Sequence, residues 1–243
     1  MKLLLTSVGL STEPIRDAMV SLTGKALGEC RAVLVPTAIY ASPDGPTGGA
    51  LTVTEVAGYG WAELGVVKLT ALPTLPAEYW SPAVESADVI IVSGGNGGYL
   101  SHWMFESCFA DVVRAQVQRG AVYLGISAGS MMATVGYNVH KQTLQQTGRY
   151  YDDEYDEYAP DGAGSDRALG LVDFVVRPHY LADYYPALNR DLMLAAAAKV
   201  AVPLYAIDDD TAIAVHDGVA TVVGDGSWEL FAPEHGAERA ADD

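Results

Sequence analysis

A serine flanked by glycines follows an apolar run in the segment YLGISAGSMMA, residues 123–133. Ser127 lies between Gly125 and Gly129, which matches the Gly-Xaa-Ser-Xaa-Gly pattern of a nucleophile elbow. In such an elbow, a tight strand-to-helix turn exposes the serine hydroxyl and directs the next backbone N–H to the position where an oxyanion would form. A serine that merely caps a helix would produce the same pattern. The strand-like residues before Ser127 and the helix-prone residues after it favour a nucleophile.

A glycine-rich loop, SGGNGG at residues 93–98, follows the apolar run ADVIIV. Because glycine has no Cβ, the backbone there can approach a substrate carbonyl closely. We therefore expect the backbone N–H of Gly95 or Asn96, together with that of Ala128, to stabilise an oxyanion. The loop has neither the GxGxxG of a dinucleotide site nor the lysine of a P-loop, so no nucleotide cofactor is expected. A simple flexible turn is the alternative interpretation.

A serine nucleophile needs a base, and the chain contains five histidines: His102, His140, His179, His216 and His235. His179 alone follows a predicted strand of the sheet, in the segment RPHY. The others fall in a predicted helix, in polar turns or near the carboxyl terminus. His179 is therefore the candidate base.

Three consecutive aspartates, Asp208, Asp209 and Asp210, follow the predicted strand LYAI. One of these carboxylates could orient the histidine ring through its Nδ1 atom. The alternation of side chains along an extended chain directs Asp209 opposite to its two neighbours. A solvated acidic loop is the alternative interpretation.

Short β-branched segments alternate with segments of helical period, which is typical of an α/β fold with a doubly wound, mostly parallel sheet and helices on both faces. The predicted strands are 2–7, 31–36, 65–69, 88–92, 121–125, 173–177 and 204–207. The predicted helices are 15–27, 51–63, 99–118 and 186–200. Three short runs after residue 210 predict a small antiparallel C-terminal meander. Sites in such sheets lie beyond the carboxyl ends of strands, where the candidate residues are predicted.

Composition limits the classes of function. Of the 243 residues, half are hydrophobic, and we expect one domain over residues 1–232 followed by a disordered tail at 233–243. The formal net charge of −17 disfavours nucleic acid and anionic membrane surfaces as partners. No apolar stretch approaches the roughly 20 residues that span a bilayer. Cys30 and Cys108 lack the spacing of a metal site, and two cysteines are too few for a disulfide framework, so we expect a cytoplasmic protein without metal or cofactor. We expect it to be a monomer or a homodimer.

The segments SGGN, GISAGS, ALGLVDFVVRPHY and AIDDDTAIAV, in this order, resemble peptidase family S51, the dipeptidase E and cyanophycinase-like serine hydrolases. The resemblance extends over nearly all of the chain. It implies a class I glutamine amidotransferase-like fold, with serine in place of cysteine at the elbow. It also implies a catalytic triad of Ser127, His179 and Asp209. Family members often have glutamate at the third position, so Asp208 and Asp210 stay open as alternatives for the acid.

The expected reaction is hydrolysis of dipeptides or other small peptide amides through an acyl-enzyme. The resemblance to dipeptidase E also implies an arginine that binds a substrate aspartate, and Arg190 is the candidate. Arg190 could equally be a surface helix residue. The acidic segment YYDDEYDEYAPDG, residues 150–162, is either a solvated loop or a lid that disfavours acidic substrates.

Three other functions stay open at this point. The first is a cyanophycinase-like β-aspartyl peptidase. The second is an α/β-hydrolase-type esterase, in which Asp209 and His216 would serve Ser127 in that chain order. The third is a non-catalytic binding protein that keeps the amidotransferase-like fold.

Overall fold

The computed structural model describes residues 1–42, 44–136, 151–152, 157–158, 165 and 167–232. Most of the acidic segment at 150–162 therefore lies outside the described residues. The same is true of His140, His235 and the expected tail at 233–243.

Strands and helices alternate along the described chain. The described strands are β1 (Lys2–Thr6), β2 (Arg31–Val35), β3 (Glu63–Val66), β4 (Val89–Val92), β5 (Val122–Ile126), β6 (Tyr151–Asp152), β7 (Glu157–Tyr158), β8 (Val175–Arg177), β9 (Leu204–Ile207), β10 (Thr211–His216), β11 (Val219–Gly224) and β12 (Trp228–Phe231). The described α-helices are α1 (Glu13–Thr23), α2 (Gly45–Ala57), α3 (Ser81–Glu85), α4 (Gly97–Glu106), α5 (Phe109–Arg119), α6 (Ala128–Met132) and α7 (Arg190–Ala197). Among these helices, none has the length and apolarity needed to cross a bilayer.

A seven-stranded sheet forms the centre of the fold, in the order β11-β10-β1-β5-β4-β2-β3. Five adjacent strands run parallel, in the order β1, β5, β4, β2 and β3. Strands β10 and β11 form an antiparallel hairpin in which β10 pairs with β1. The predicted α/β class with a mostly parallel sheet is confirmed. The carboxyl ends of β1, β4 and β5 therefore meet at one edge of the sheet.

Both faces of this sheet are covered by helices. Successive side chains of a strand point to opposite faces, so Leu3 and Leu5 lie in one core and Leu4 lies in the other. Helices α4 and α5 pack on the first face, and α1 with the end of α2 packs on the second. This two-sided burial explains why the parallel strands are apolar almost throughout.

A second, three-stranded sheet has the order β12-β9-β8. The predicted strand 173–177 belongs here as β8, parallel to β9, and not in the central sheet. The position beside β1 that it could have taken is occupied by β10. The last strand, β12, pairs with β9, so the third run of the predicted meander joins this smaller sheet.

Helix boundaries differ from the predicted ones for local reasons. The predicted helix 99–118 is two helices, α4 and α5, because Cys108 adopts a left-handed conformation with φ 59°. The predicted helix 51–63 lies earlier in the chain, as α2. The last predicted helix begins at Arg190 rather than at Pro186, because the Asn189 side chain accepts a hydrogen bond from the Leu192 N–H at 3.1 Å.

Gly129 packs directly against strand β4. A Cβ at this position would collide with the carbonyl oxygen of Val92. We expect Gly129→Ala to lower the free energy of unfolding by at least about 2 kcal/mol, because neither backbone can move without disturbing the central sheet. Urea denaturation measures the change. Gly136→Ala is the matched control, since its Cβ would enter open space, and equal effects of the two substitutions would contradict the packing argument.

Candidate active site

Ser127 lies in the turn between β5 and α6. Its backbone has φ 52° and ψ −117°, a conformation that L-residues rarely adopt. The Ser127 N–H donates to the Thr6 carbonyl at 3.0 Å, which ties the turn to the end of β1. The Ser127 side chain forms no capping hydrogen bond with α6, so the helix-cap interpretation finds no support.

The Ser127 hydroxyl contacts an imidazole ring instead. Its Oγ lies 2.8 Å from His179 Nε2, and His179 Nδ1 lies 2.9 Å from Asp209 Oδ1. Because an ionised carboxylate can only accept, Nδ1 carries the proton and Nε2 is left to accept from the serine hydroxyl. Ser127 and His179 are both buried, at 8% and 9% exposure. These contacts are the ones that a nucleophile, a base and an orienting acid would need.

A tyrosine completes the contacts of the acid. The Tyr184 hydroxyl donates a short hydrogen bond to Asp209 Oδ2 and lies 3.0 Å from His179 Nδ1. Both oxygens of the Asp209 carboxylate are therefore held, one by the histidine and the other by the tyrosine.

The environment of Asp209 favours its ionised form. Burial is the largest single influence and acts to raise the pKa of this carboxyl group. Hydrogen bonds from His179 and Tyr184, with the electrostatic attraction of the His179 ring, outweigh burial and leave the pKa of Asp209 below its ordinary value. The carboxylate is thus charged at neutral pH and can accept a hydrogen bond from the Nδ1–H group of His179.

The two neighbouring aspartates have other positions. Asp208 accepts hydrogen bonds from the Asp210 N–H at 3.1 Å and the Thr211 hydroxyl at 2.8 Å, and a short one from the Ser227 N–H. Asp208 therefore shapes the loop, and Asp210 is exposed. Of the three, the structure brings Asp209 to the histidine.

His179 is held by its backbone as well as by its ring. It has a left-handed backbone with φ 61°, and its N–H donates to the Ser7 hydroxyl oxygen at 3.1 Å. The Ser7 hydroxyl in turn donates to the Asp208 carbonyl at 2.8 Å. The Tyr185 ring packs edge-on against the imidazole, with centroids 5.4 Å apart. Ser7 thus connects the end of β1 to the loops of both the histidine and the acid.

An open cavity of about 230 Å³ lies in front of Ser127. It is lined by residues from loops that follow four strands of the central sheet, by the loop after β8 and by one face of α2. Representative residues are Ser7 after β1, Ile39 after β2, Gly95 after β4, Ser127 after β5 and Glu55 on α2. The cavity therefore lies beyond the carboxyl ends of the parallel strands, as expected for this class of sheet.

The three candidate oxyanion donors differ in availability. The Asn96 N–H donates to the Ala38 carbonyl at 3.0 Å and is not free to bind a substrate. The N–H groups of Gly95 and Ala128 have no acceptor within the described residues. Gly95 and Ala128 therefore remain candidate donors, whereas the Asn96 N–H is already engaged.

Arg190 lies at the start of α7 and is paired with Glu229. Its Nε and Nη2 atoms donate to that carboxylate at 2.8 to 3.1 Å. Arg190 does not line the cavity of Ser127 in the described part of the chain. The geometry therefore supports the alternative interpretation, in which Arg190 is a surface helix residue.

The remaining described histidines, His102 and His216, do not line the cavity of Ser127. His216 pairs with Lys2 at the beginning of β1, whereas Ser127 follows Ile126, the partner of Thr6 at the end of β1. Four residues of strand separate these positions by about 13 Å. His102 lies on α4 against the Trp103 ring. Among the described residues, no group of three or more His, Cys, Asp or Glu side chains could hold a metal ion.

Three residues of the site had no clear signal in the sequence: Ser7, Glu55 and Tyr184. Ser7 follows the first strand, and a position at the carboxyl end of a strand is only a weak indication that a residue belongs to the site. Tyr184 lies five residues after His179, but nothing in YLADYYP shows that the chain turns back towards the acid. Glu55 falls within a predicted helix, whose orientation relative to the sheet depends on packing.

Comparison with known proteins identifies the family. The model of Peptidase family S51 matches residues 3–223. The chain belongs to peptidase family S51. The family is one of peptidases, which agrees with the serine, imidazole and carboxylate found at the strand ends.

Individual relatives of this S51 chain share about three tenths of their aligned residues. A Drosophila melanogaster protein named "Probable alpha-aspartyl dipeptidase" is 31% identical over 165 residues, which are 65% of this chain and 62% of that protein. "Peptidase E" of Actinobacillus pleuropneumoniae serotype 5b (strain L20) is 29% identical over 146 residues, 58% of this chain and 56% of that protein. The alignments thus span about three fifths of these curated relatives.

A solved structure matches over a larger share of the S51 chain. The crystal structure of a peptidase from an acI-B1 Actinobacterium has a TM-score of 0.61 and 19% identity, and the match covers 96% of this chain and 91% of that one. At this identity the likeness concerns the fold.

Removal of the Tyr184 hydroxyl tests its contact with Asp209. We expect Tyr184→Phe to slow acylation of Ser127 by a fluorophosphonate about tenfold, the effect of losing one hydrogen bond to a charged group. Without this donor the pKa of Asp209 rises, so the loss of rate caused by protonation of Asp209 extends to higher pH. The rate constant of labelling, measured from pH 4 to 8, reports both effects. Tyr79→Phe, which alters an exposed tyrosine, should change neither, and an unaltered Tyr184→Phe profile would contradict this role.

Proposed function

We propose that this chain is a serine-type peptidase that hydrolyses dipeptides or other small peptide amides through an acyl-enzyme. The observation that carries the proposal is the 2.8 Å contact between Ser127 Oγ and His179 Nε2, two residues that line the same open cavity. Membership of a peptidase family supports amide bonds as the target.

Each residue of the proposed triad has a defined part in the reaction. His179 Nε2 accepts the hydroxyl proton as Ser127 Oγ attacks the carbonyl carbon, and Asp209 stabilises the resulting imidazolium. His179 then donates this proton to the leaving amine, which departs and leaves an ester at Ser127. Water attacks the ester in the second half of the reaction, with His179 again as base. The bond between Ser127 Oγ and the acyl carbon then breaks, the carboxylic acid product leaves, and His179 returns the proton taken from water to Ser127 Oγ.

The negative charge on the substrate oxygen needs donors in the same cavity. The N–H groups of Gly95 and Ala128 are proposed for this role, because neither has an acceptor among the described residues. Such preorganised donors typically contribute about 3–4 kcal/mol to stabilising the transition state.

The size of the cavity favours small substrates. About 230 Å³ is below the roughly 300–1,000 Å³ of common ligand sites. A dipeptide or the end of a short peptide fits this space better than a loop of a folded protein. The name of the Drosophila relative, which specifies a dipeptidase, is in accord with this range.

Separate histidine substitutions test the assignment of the base. We expect His179→Ala and Ser127→Ala each to lower cleavage of a dipeptide library by at least about 10³-fold. His216→Ala should retain wild-type activity, because its side chain lies at the opposite end of the sheet. Fluorophosphonate labelling followed by intact mass measures the same dependence without a peptide substrate. Labelling that survives His179→Ala but not His216→Ala would favour the esterase alternative.

The acid is tested by two matched amide substitutions. We expect Asp209→Asn to lower kcat by about 10³- to 10⁴-fold, because the amide no longer selects the tautomer in which Nε2 accepts. Asp210→Asn, the same change one residue further along, should leave kcat within about twofold. Steady-state kinetics of the two variants measure this difference.

Wild-type protein that neither reacts with the probe nor cleaves any dipeptide would instead indicate a non-catalytic binding protein.

A further inference from the structure

One carboxylate of helix α2 shares the cavity with Ser127. Glu55 lies in the last turn of α2, is exposed, and lines the cavity together with Thr52 and Val56 of the same helix. Of the described residues that line the cavity, Glu55 is the one acidic residue and none is Lys or Arg. The cavity therefore has negative character on the side that α2 provides.

The Glu55 carboxylate is held on one oxygen. The Tyr59 hydroxyl donates to Glu55 Oε1 at 3.3 Å and accepts from the Leu10 N–H at 3.3 Å. Burial, followed by the charge of Glu55, raises the pKa of Tyr59 to about 12, so the hydroxyl stays protonated at neutral pH. Glu55 Oε2 has no hydrogen-bond partner within the described residues. One oxygen is anchored, and the other is available to a ligand.

The charge of Glu55 is not neutralised by the protein in the described part of the chain. No Lys or Arg there forms an ion pair with it, and the Arg16 guanidinium lies instead over the Tyr59 ring, 5.3 Å from its centroid. The last turn of α2 contains no basic residue. Because the carboxyl end of a helix already carries partial negative charge, an acidic residue there is unfavourable for folding. A cation bound in the cavity would offset both charges.

We propose that Glu55 is a specificity-determining residue that binds a positively charged group of the substrate beside the scissile bond. The proposal rests on the proposed function, since it takes this cavity to be the substrate site. The shared chemistry is an ammonium or guanidinium group donating to Oε2. Its source is either the free α-amino group of the residue that is cleaved or a basic side chain.

A preference of this kind has a consequence for acidic substrates. An aspartate side chain in the cavity would be repelled by the carboxylate of Glu55. No Lys or Arg among the described lining residues would offset this repulsion. This chain should therefore favour neutral or basic residues over aspartate, in contrast to the specificity stated in the name of the Drosophila relative.

Binding to a Ser127→Ala variant tests the role of Glu55 without turnover. Leucinamide and N-acetyl-leucinamide differ by the α-ammonium, and N-acetyl-lysinamide and N-acetyl-norleucinamide differ by the side-chain ammonium. We expect the charged member of one pair to bind at least about tenfold more tightly in calorimetric titrations, and that pair identifies the source of the charge. Adding Glu55→Gln should reduce the ratio to less than about twofold. Glu55→Lys should reverse it, so that the neutral member binds more tightly.

Controls separate this proposal from the proposed function. Glu78→Gln makes the same change of charge at a residue that does not line the cavity, and should keep the tenfold ratio. The circular dichroism spectra of Glu55→Gln and the wild type should coincide, which shows that the variant is folded. Equal binding within both pairs, or a ratio that Glu55→Gln leaves unchanged, would overturn the role of Glu55. A wild-type protein that resists labelling would overturn the proposed function whatever the binding ratios are.

Discussion

The end of strand β1 holds both halves of the site. Thr6 accepts the Ser127 N–H, and the Ser130 hydroxyl bridges the Thr6 N–H and carbonyl at 2.8 and 2.7 Å. The next residue, Ser7, accepts the His179 N–H and donates to the carbonyl of Asp208. Two adjacent residues therefore set the position of Ser127 on one side and of the loops that carry His179 and Asp209 on the other. The contact between Ser127 and His179 depends on these buried hydrogen bonds.

These hydrogen bonds maintain backbone conformations that would otherwise be rare. Ser127 and His179 both have positive φ, at 52° and 61°, and such residues cost of order 1–3 kcal/mol each. A buried hydrogen bond typically returns about 1 kcal/mol, so the contacts made by Thr6 and Ser7 are of the right size to offset this cost. The strain has a use, because it directs the hydroxyl and the imidazole out of the sheet edge and towards each other.

Local rules made part of this site predictable. The glycine at 129 is required by the close approach of β4, and that steric demand is visible as a short sequence pattern. Side-chain alternation after a strand distinguishes Asp209 from its neighbours, and the structure brings Asp209 to the ring. Contacts between distant segments were not predictable, because Ser7 meets a histidine 172 residues away. Glu55 and Tyr184 enter the cavity only through the packing of a helix and the return of a loop, neither of which has a local signature.

The three interacting side chains do not belong to one sheet. The serine follows β5 of the central sheet, and the histidine follows β8 of the smaller one. The aspartate lies in the link that leads from β9 in the smaller sheet to β10 in the central sheet. Any sliding of one sheet against the other therefore changes the serine–histidine distance and the aspartate geometry together. Because the link between β9 and β10 crosses from one sheet to the other, the alignment of all three groups depends on how the two sheets pack against each other.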